Sequence, residues 1–488
     1  MTNWQGRRVV IIGAARQGLA LARYLAGHEA EVVLNDQRNT DAMGKAQTDL
    51  KDTAVEWVLG EHPVSILEGA DLVCVSGGVP LNLPLVEQAR SRGIPLSNDS
   101  QIFLEAAPCP VVGITGSAGK TTTTTLVGRM ASAGCELQKE ENEALEEEHF
   151  ARELQNLDIV KCQPSSHVWV GGNIGSPLIS VVDRMMPQDV AVMELSSFQL
   201  ELMDRSPQLA AVLNITPNHL DRHGTMQAYT AAKARILAFQ ASQDVAVLGR
   251  DDPGAWSLVE KVRGRLLTFG LSGLLEGQDG TFIQEEAIWL RLAGQAVRVM
   301  PLESIQLRGE HNRLNVLAAC AIAAGMGLPP QAMRKGVEEF SGVAHRLEFV
   351  RIWGGAAWYN DSIATAPERA MAAIRSFDEP LILLAGGRDK DLPWGAFAEL
   401  VVQRVERLVL FGEAAEKILQ AVQAAAQGAG SGPEISLSPD LHQAVLEAAK
   451  AVRPGYAVLL SPGGTSFDEF RDFEERGVCF AQWVKELP

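Results

Sequence analysis

Residues Val111–Thr125 read VVGITGSAGKTTTTT, and this stretch predicts a strand, a glycine loop and a helix in succession. The β-branched run Val111–Ile114 is typical of a buried strand, and the helix after the loop is expected to end near Gly134. In such a loop, backbone N–H groups close on phosphate oxygens, Lys120 adds positive charge, and the Thr121 hydroxyl can bind Mg²⁺. The stretch therefore predicts a triphosphate site.

This loop departs from the usual G-x-x-x-x-G-K-[ST] pattern at one position, because Ile114 stands where the first glycine is expected. The residues fit a shorter form, T-G-S-x-G-K-T. The alternative interpretation is a glycine–serine turn followed by an exposed lysine. The strand before the loop and the helix after it favour the phosphate site.

The composition is that of a globular, acidic chain. Its 488 residues exceed one ordinary core, which predicts about two to four domains. The net charge of −17 argues against nucleic acid or an anionic membrane as a partner. Six cysteines are scattered without a C-x-x-C pair, and no signal peptide or spanning apolar run is evident. We therefore expect reduced thiols and a cytoplasmic location.

The first segment, up to residue 98, has the pattern of a βαβ unit. The strand Val9–Ile12 leads to a glycine turn, and a second strand, Glu31–Leu34, is followed by Asp36. Ala15 stands in the place of the second glycine of G-x-G-x-x-G. Three interpretations stay open: an NAD site, a packed turn, and a cradle for a nucleotide diphosphate with Asp36 facing a ribose or base. A later loop, Ser76–Gly78, also suits close approach of the backbone to a ligand.

Polar residues follow two strands of the middle segment. Asp189–Met193 ends at Glu194, where a phosphate-loop protein needs a Mg²⁺ ligand, although a carboxylate can also cap the next turn. Ala210–Asn214 precedes His219, which can bind a metal or position a substrate oxygen, whereas a lone histidine is more often structural. Lys233 lies on an alanine-rich predicted helix, where most lysines are solvated.

An acidic segment near residues 135–158 follows the helix of the phosphate loop, and in it glutamates far outnumber Lys139 and Arg152. This composition favours a solvated helix or an excursion from the domain. A role in docking a partner has no support in the sequence.

In the last part of the chain, strands alternate with helices, and polar residues collect where strands end. Examples are 360–365, 385–390 and 461–470. In a doubly wound sheet those ends face one crevice, so together they predict a ligand site. Ahead of this part, Asn312 and Asn315 open an apolar helix with amides that can recognise an adenine or a phosphate.

Taken together, these motifs resemble those of the Mur ligases, the ATP-dependent amide-forming enzymes of peptidoglycan precursor synthesis. The shared motifs run along nearly the whole chain, in the order TGSAGKT, GGNIG, ELSSFQL, NITPNHLDRH, AAK, GEHN, HRLE, NDS-x-AT, GGRDK and SPGGTSFDEF. Within the family, ELSSFQL, GGxxK and S-P-G-x-x-S-F-D-x-F are most similar to the members that add D-glutamate. The resemblance implies ATP, Mg²⁺ at two sites, and the substrates UDP-N-acetylmuramoyl-L-alanine and D-glutamate.

The resemblance also implies three α/β domains and a monomer. Residues 1–98 would form a Rossmann-like domain for the UDP-sugar, and residues 99–342 a P-loop ATPase domain with a mostly parallel sheet. The acidic insert near 135–158 would belong to the second domain. Residues 343–488 would form a Rossmann-like domain for the amino acid.

By matched position, the resemblance implies roles for individual residues. Catalytic roles fall to Lys120, His219, Lys233 and Lys390. The residues for ATP are Gly116, Ser117, Gly119, Lys120, Thr121, Thr122, Asn312, Arg346 and Asp361. Those for the UDP-substrate are Gly13, Arg16, Gln17, Gly18, Asp36, Gly78, Asn173 and His219. Those for D-glutamate are Thr365, Lys390, Ser466 and Phe473. The metal ligands are Thr121, Glu194, His219 and, once carbamylated, Lys233.

Three positions of the last segment depart from the family pattern, and one of them is Pro367, where many members have other residues. Ile363 replaces a lysine that is common in N-D-S-K-A-T, so one cation near the amino-acid or phosphate site could be missing. Arg388 replaces an acid sometimes found in G-G-D-x-K.

Three alternative functions stay open at this point. Another ligase of the superfamily, such as a folylpolyglutamate or cyanophycin-type enzyme, would differ in its amino acid. A P-loop switch would turn over nucleotide without an acceptor. An NAD-dependent oxidoreductase would rest on residues 9–36 and would bind a nicotinamide.

Overall fold

The computed structural model describes residues 2–140, 165–173 and 175–488, and within them the chain forms three β-sheets with helices packed against them. Two compact units are present: Met1–Ile305 with Glu310–Glu338, and Gln306–Gly309 with Glu339–Pro488. The first unit holds two sheets and the second holds one. The predicted three-domain α/β class is confirmed, whereas the boundaries at 98/99 and 342/343 stay predictions.

The first sheet is parallel and, in the described chain, has the order β3-β2-β1-β4-β5. Its strands are β1 Arg8–Ile12, β2 Glu31–Asp36, β3 Val55–Leu59, β4 Leu72–Val75 and β5 Leu96–Ser97. The helices of this region are α1 Arg16–Gly27, α2 Thr40–Asp49, α3 Pro84–Ser91 and α4 Asp99–Ala106. The order of the strands reverses between β1 and β4, so the loops after these two strands border the crevice in which such sheets bind ligands.

The second sheet has the order β14-β13-β12-β11-β10-β9-β6-β8-β7 among the residues described. Its strands are β6 Val111–Thr115, β7 Val168–Gly172, β8 Val190–Glu194, β9 Leu209–Val212, β10 Val245–Gly249, β11 Arg265–Phe269, β12 Gly280–Gln284, β13 Ala287–Leu292 and β14 Gln295–Pro301. Pairing is parallel from β7 to β12 and antiparallel from β12 to β14. Strands β6, β8 and β9 are buried along their length, which explains their continuous apolar runs.

The helices of this second region include the one that follows the phosphate loop. They are α5 Lys120–Glu140, α6 Ser197–Leu200, α7 Leu220–His223, α8 Met226–Ala238, α9 Pro253–Trp256, α10 Glu310–Gly325 and α11 Pro330–Val337. The prediction that α5 ends near Gly134 is wrong, because the helix continues to Glu140. A Cβ atom at Gly134 would lie 2.6 Å from Leu328 Cδ2, so this glycine permits close packing and does not end the helix. The predicted acidic insert lies outside the described residues from position 141 onward.

The third sheet forms the centre of the second unit and, within the described residues, has the order β15-β16-β20-β17-β18-β19. Its strands are β15 Glu348–Trp353, β16 Ala356–Asn360, β17 Leu381–Gly386, β18 Val405–Phe411, β19 Glu434–Leu437 and β20 Ala457–Gly463. The helices are α12 Pro367–Ile374, α13 Gly395–Arg404, α14 Ala415–Ala429, α15 Leu441–Ala451 and α16 Phe473–Glu486. Strand β20 lies between β16 and β17 and runs parallel to both, so the loops that leave these three strands are neighbours. None of the described helices combines the length and the apolar character that crossing a bilayer requires.

Candidate active site

The loop between β6 and α5 has the geometry of a phosphate-binding loop. Gly119 has φ +80°, and a Cβ atom there would lie 2.2 Å from Asn315 Oδ1, so no other residue fits at this position. Lys120 Nζ donates to Gly116 O at 2.8 Å and Ser117 O at 3.3 Å, which holds the amine over the loop. The predicted ATP residues of the loop thus form one contiguous structure at a helix N-terminus.

Two of the remaining predicted ATP residues of the first unit also lie beside the loop. Thr122 is buried in the first turn of α5. Asn312 is buried at the start of α10, and its Oδ1 accepts from Asn315 Nδ2 at 3.0 Å. Because the Asn315 side chain is packed against Gly119, these two amides brace the loop from the α10 side.

Residues just beyond the end of β9 brace the other side of the loop. Asn214 accepts from Ala118 N through Oδ1 at 2.8 Å and from Ser117 N through its carbonyl oxygen at 2.9 Å. The Ser117 hydroxyl donates to Thr216 O at 2.9 Å and lies 3.0 Å from the Tyr229 hydroxyl. Sequence reasoning missed these braces, although the position of Asn214 directly after a buried strand was a usable signal.

Thr121 and Glu194 form an oxygen donor pair that fits Mg²⁺. The Thr121 hydroxyl donates to Glu194 Oε2 at 2.9 Å, and Asn173 Nδ2 donates to Glu194 Oε1 at 2.8 Å. Glu194 is buried at the end of β8, next to the strand that leads into the phosphate loop. One hydroxyl and one carboxylate suit Mg²⁺, which commonly completes its shell with phosphate oxygens and water.

Lys233 is almost completely buried, with 1% of the residue exposed. Its Nζ donates to Gly116 O at 2.8 Å and Thr115 Oγ1 at 3.4 Å, and it lies 4.8 Å from the centre of the Tyr229 ring. Burial, followed by the nearby Lys120 charge, lowers the pKa of Lys233 to about 6. Lys233 is therefore not solvated as most helical lysines are, and its lowered pKa favours the neutral amine near physiological pH.

His219 is exposed in a left-handed turn, with φ +53°. Its ring meets the edge of Phe198 at 5.2 Å between ring centres, and Phe198 stacks in parallel on His223 at 5.1 Å. No group of three or more histidine, cysteine or acidic side chains able to hold a metal is found among the described residues. Metal binding by His219 therefore stays a prediction.

A buried polar chain that sequence reasoning missed supports this aromatic group. The ring of His223 lies between the Ser197 hydroxyl, 2.9 Å from Nε2, and Glu201 Oε1, 3.1 Å from Nδ1. Ser197 and Glu201 lie at the two ends of α6, four positions apart. The contact between Ser197 and His223 joins residues 26 positions apart, so no local sequence pattern predicts it.

The turn after β1 has the tight geometry expected of a nucleotide cradle. Gly13 has φ +100°, and a Cβ atom at Gly18 would lie 1.9 Å from Gly13 O. The Ser76 hydroxyl donates to Gly13 O at 2.8 Å, and Asp36 Oδ2 accepts from Ala14 N at 2.7 Å. This turn and the loop after β4 therefore meet where the sheet order reverses.

Asp36 is already engaged by the protein. Arg38 donates to both of its oxygens, at 2.9 and 2.8 Å. Arg38 is the largest cause that lowers the pKa of Asp36 to about 2. The carboxylate therefore orders the turn, and its predicted contact with a ligand stays a prediction.

Within the first unit, two arginines connect the N-terminal loops to the loops of the second sheet. Arg16 Nη2 donates to Asn173 O at 3.3 Å. Arg222 donates to Gly78 O at 3.3 Å and Val79 O at 3.1 Å. Gln17 lies against the loop after β4, because a Cβ atom added at Gly77 would be 3.4 Å from Gln17 Oε1. Of the residues predicted for the UDP site, Arg16 thus contacts Asn173, and Gln17 lies against the loop that holds Gly78.

The second unit collects the other predicted residues on neighbouring loops. Asp361 is buried at the end of β16, where Oδ2 accepts from Ser461 Oγ at 2.8 Å and Oδ1 from Leu347 N at 3.2 Å. Burial raises the pKa of Asp361 to about 7 despite the opposing charge of Arg346. The contact of Asp361 and Arg346 with ATP stays a prediction.

The four residues predicted for D-glutamate lie on the loops after β16, β17 and β20 and at the start of α16: Thr365, Lys390, Ser466 and Phe473. Lys390 is exposed, and partial burial followed by the Arg369 charge lowers its pKa. Arg369, in the first turn of α12, is thus a second cation close to Lys390. Arg388, the other departure, forms a two-pronged ion pair with Glu413 at 2.8 and 2.9 Å.

A phosphate loop with an oxygen donor pair for Mg²⁺, on a three-domain α/β chain, defines a nucleotide-dependent P-loop protein. The chain belongs to the Mur ligase family. Family models match in the order of its sheets: the Mur ligase MurD-like N-terminal domain at residues 7–98, the Mur ligase middle domain at 114–323, and the Mur ligase glutamate ligase domain at 345–464. The predicted family is confirmed.

Named relatives are similar along the whole chain. A UDP-N-acetylmuramoylalanine–D-glutamate ligase from Symbiobacterium thermophilum is 39% identical over 480 residues, which are 98% of this chain and 98% of the relative. The ligase of the same name from Pelotomaculum thermopropionicum is 40% identical over 489 residues, 100% of this chain and 99% of the relative.

Solved structures share the fold at low identity. MurF from Acinetobacter baumannii aligns with a TM-score of 0.56 and 17% identity, covering 97% of this chain and 93% of that one. UDP-N-acetylmuramate–alanine ligase from Thermotoga maritima aligns with a TM-score of 0.54 and 17% identity, covering 98% and 99%. This likeness concerns the fold alone.

Proposed function

We propose that the protein joins D-glutamate to UDP-N-acetylmuramoyl-L-alanine through an amide bond, with ATP converted to ADP and phosphate. The observation that carries the proposal is the phosphate loop with Thr121, Glu194 and Lys233 around it, in a Mur ligase chain. The names of its full-length relatives and the match to a glutamate ligase domain support the choice of acceptor.

The chemistry must make a carboxylate reactive toward an amine. The terminal carboxylate of the UDP-substrate attacks the γ-phosphorus of ATP, ADP leaves, and an acyl phosphate forms. The neutral amine of D-glutamate then attacks the carbonyl carbon, and the tetrahedral intermediate expels phosphate and loses a proton to give the amide. Lys120, held over the loop by Gly116 O, neutralises charge on the transferred phosphoryl group.

The proposed Mg²⁺ site consists of the oxygen donor pair Thr121 and Glu194. Mg²⁺ held by Thr121 and Glu194 would polarise the phosphate oxygens. Asn173 orients the Glu194 carboxylate by donating to its second oxygen. A second Mg²⁺ site at His219 and Lys233 is part of the proposal.

Lys233 is suited to carbamylation because its amine is neutral and buried. The amine attacks CO₂, a C–N bond forms, and one proton leaves, so a neutral group becomes an anion. That anion would lie beside Lys120, since both lysines donate to Gly116 O. Carbamylation therefore places an anion beside the Lys120 cation and supplies an acidic ligand.

Substrate binding is assigned to the two groups of loops. The turn Gly13–Gly18 with Arg16, Gln17 and Gly78 would hold the UDP-substrate, together with Asn173. Lys390, Ser466, Thr365 and Phe473 would hold D-glutamate. We also propose a monomer in the cytoplasm, and the cytoplasmic location suits the reduced thiols of Cys74, Cys109, Cys320 and Cys479.

The test is phosphate release with ATP, Mg²⁺ and UDP-N-acetylmuramoyl-L-alanine, with each candidate amino acid added in turn. We expect release only with D-glutamate, and a product mass that reports a new amide. Release with a different amino acid would replace the proposed acceptor. Release without any acceptor would overturn the ligase reaction in favour of a nucleotide switch.

A further inference from the structure

Arg476 is a completely buried arginine one turn into α16, with 0% of the residue exposed. Burial of a guanidinium is costly unless its N–H groups find acceptors. Here Nε donates to Ser362 Oγ at 2.9 Å and Nη2 to Ser362 O at 2.8 Å. Nη1 and Nη2 both donate to Gly464 O at 3.2 Å. Every one of these hydrogen bonds ends on a neutral oxygen.

The guanidinium also contacts a third loop. A Cβ atom at Gly387 would lie 2.9 Å from Arg476 Nη1 and 2.2 Å from Thr465 O, and Gly387 has φ +90°. Arg388 and Thr465 exchange two backbone hydrogen bonds, both 2.8 Å long. The loops after β17 and β20 are thus joined to each other by hydrogen bonds, and both pack against Arg476.

The parts that meet at Arg476 include the whole predicted acceptor site. Each predicted residue lies within three positions of a group that Arg476 contacts or of Arg476 itself: Thr365 after Ser362, Lys390 after Gly387, Ser466 after Gly464, and Phe473 before Arg476. The Ser362 hydroxyl, which accepts from Arg476, donates to Phe473 O at 2.8 Å. A displacement of the guanidinium would therefore move all four residues.

The charge of Arg476 persists in this site. Burial lowers the pKa of Arg476 to about 10, with Asp468 and Glu469 opposing from a distance. The side chain is therefore a cation at neutral pH. A fixed positive charge in a water-poor region attracts anions more strongly than the same charge at the surface.

We propose that Arg476 is the positioning residue of the acceptor site: it holds the three loops in register, and its buried charge favours an acceptor with two carboxylates. The proposal rests on the proposed function, since the acceptor is taken to be D-glutamate. It adds a residue outside the predicted site, recognised by its contacts alone.

The test uses two substitutions in the full chain. Arg476→Lys keeps the positive charge but loses the planar guanidinium group with its several N–H donors, and Arg476→Met removes both. We expect the KM for D-glutamate to rise roughly tenfold in R476K and roughly a hundredfold in R476M, because a displacement of about 1 Å can cost this much. The KM for ATP should stay within about twofold. The preference for D-glutamate over D-glutamine should fall more in R476M than in R476K.

Arg351 provides the matched control. It donates to Lys485 O and Leu487 O, both at 2.9 Å, at the other end of α16, so Arg351→Met loosens the same helix away from the loops. Its KM for D-glutamate should not change. An equal rise in R351M, or a KM within about twofold of wild type in folded R476K and R476M, would overturn the proposal.

A third variant keeps the test decisive if R476M does not fold. Ser362→Ala removes one acceptor of the guanidinium and should raise the KM for D-glutamate by about threefold. An unchanged KM in S362A and R476K would also overturn the proposal. Wild-type protein without D-glutamate-dependent phosphate release would contradict the proposed function itself, independently of these variants.

Discussion

Lys233 in the first unit and Arg476 in the second are both buried basic residues, with 1% and 0% of the residue exposed, yet they differ in their hydrogen bonds. Lys233 donates to one carbonyl oxygen at 2.8 Å and only distantly to one hydroxyl, beside the second amine of Lys120. Arg476 makes four hydrogen bonds that use three of its nitrogen atoms.

The difference decides what each residue can do. The lysine escapes the cost of burial by losing its proton, which leaves a nucleophilic amine next to the phosphate loop. The arginine cannot readily lose its proton, so the cost of its burial is offset by acceptors on two loops, namely the Ser362 hydroxyl and the carbonyl oxygens of Ser362 and Gly464. A buried lysine thus indicates chemistry at its own nitrogen, and a buried arginine indicates that the surrounding loops are held in place.

The largest effect should follow from removal of the Lys233 amine. We expect Lys233→Ala to lower kcat by about a thousandfold, because an acidic ligand and the neutralisation of Lys120 are lost together. Lys233→Arg should be equally inactive, since a guanidinium stays charged and does not react with CO₂. Steady-state phosphate release is the measurement.

Rescue of the Lys233→Ala variant by added carboxylates distinguishes carbamylation of Lys233 from a merely structural role. Acetate or formate should restore part of the activity of K233A, because a small carboxylate can enter the space left by the side chain. The same salts should leave R476M unimproved. A folded K233A protein that no short carboxylate rescues would contradict carbamylation.

A smaller effect is expected from substitution of the carboxylates near the two buried basic residues. Glu194 contacts Thr121 directly, whereas Asp468 opposes Arg476 from a distance. Glu194→Gln should weaken Mg²⁺ binding by about ten- to a hundredfold, measured by titration calorimetry with a non-hydrolysable ATP analogue. The matched variant Asp468→Asn should bind Mg²⁺ like wild type. Equal losses of Mg²⁺ affinity in both variants would contradict Mg²⁺ binding by Thr121 and Glu194 in the first unit.

Local motifs predicted the parts of the site that are contiguous in sequence. The phosphate loop, Glu194 after β8 and the polar ends of β16, β17 and β20 follow from apolar runs that stop at polar residues. The match of this pattern to a doubly wound architecture also predicted the fold class, because parallel strands need helical crossovers between them.

Contacts between distant positions could not be predicted in this way. Arg476 and Ser362 are 114 positions apart, and His223 and Ser197 are 26 apart. An arginine within an amphipathic helix is usually exposed. Only the tertiary structure places the three loops around Arg476. The end of α5 was mispredicted for a related reason, since Gly134 is required by the packing of Leu328 and not by a turn.

The last predicted effect concerns the dependence of stability on pH. Lys233 has a pKa of about 6 in the folded protein and 10.5 as a free side chain, so between these values the unfolded chain binds one more proton. Stability therefore rises with pH in this window, by about 1.4 kcal/mol per unit for this group. The Arg476 guanidinium loses its proton only above about pH 10, so its contribution to stability does not change with pH near neutrality.

Urea unfolding of three proteins in CO₂-free buffer checks this difference. Between about pH 7 and pH 9, the free energy of unfolding of wild type should rise relative to Lys233→Met, while its difference from Arg476→Met stays constant. Removal of CO₂ is essential, because a carbamylated lysine no longer titrates as an amine. A constant difference for K233M would mean that the Lys233 amine keeps its proton in the folded protein. The contrast between the two buried basic residues would then rest on geometry alone, and the neutral nucleophile required for carbamylation would be absent.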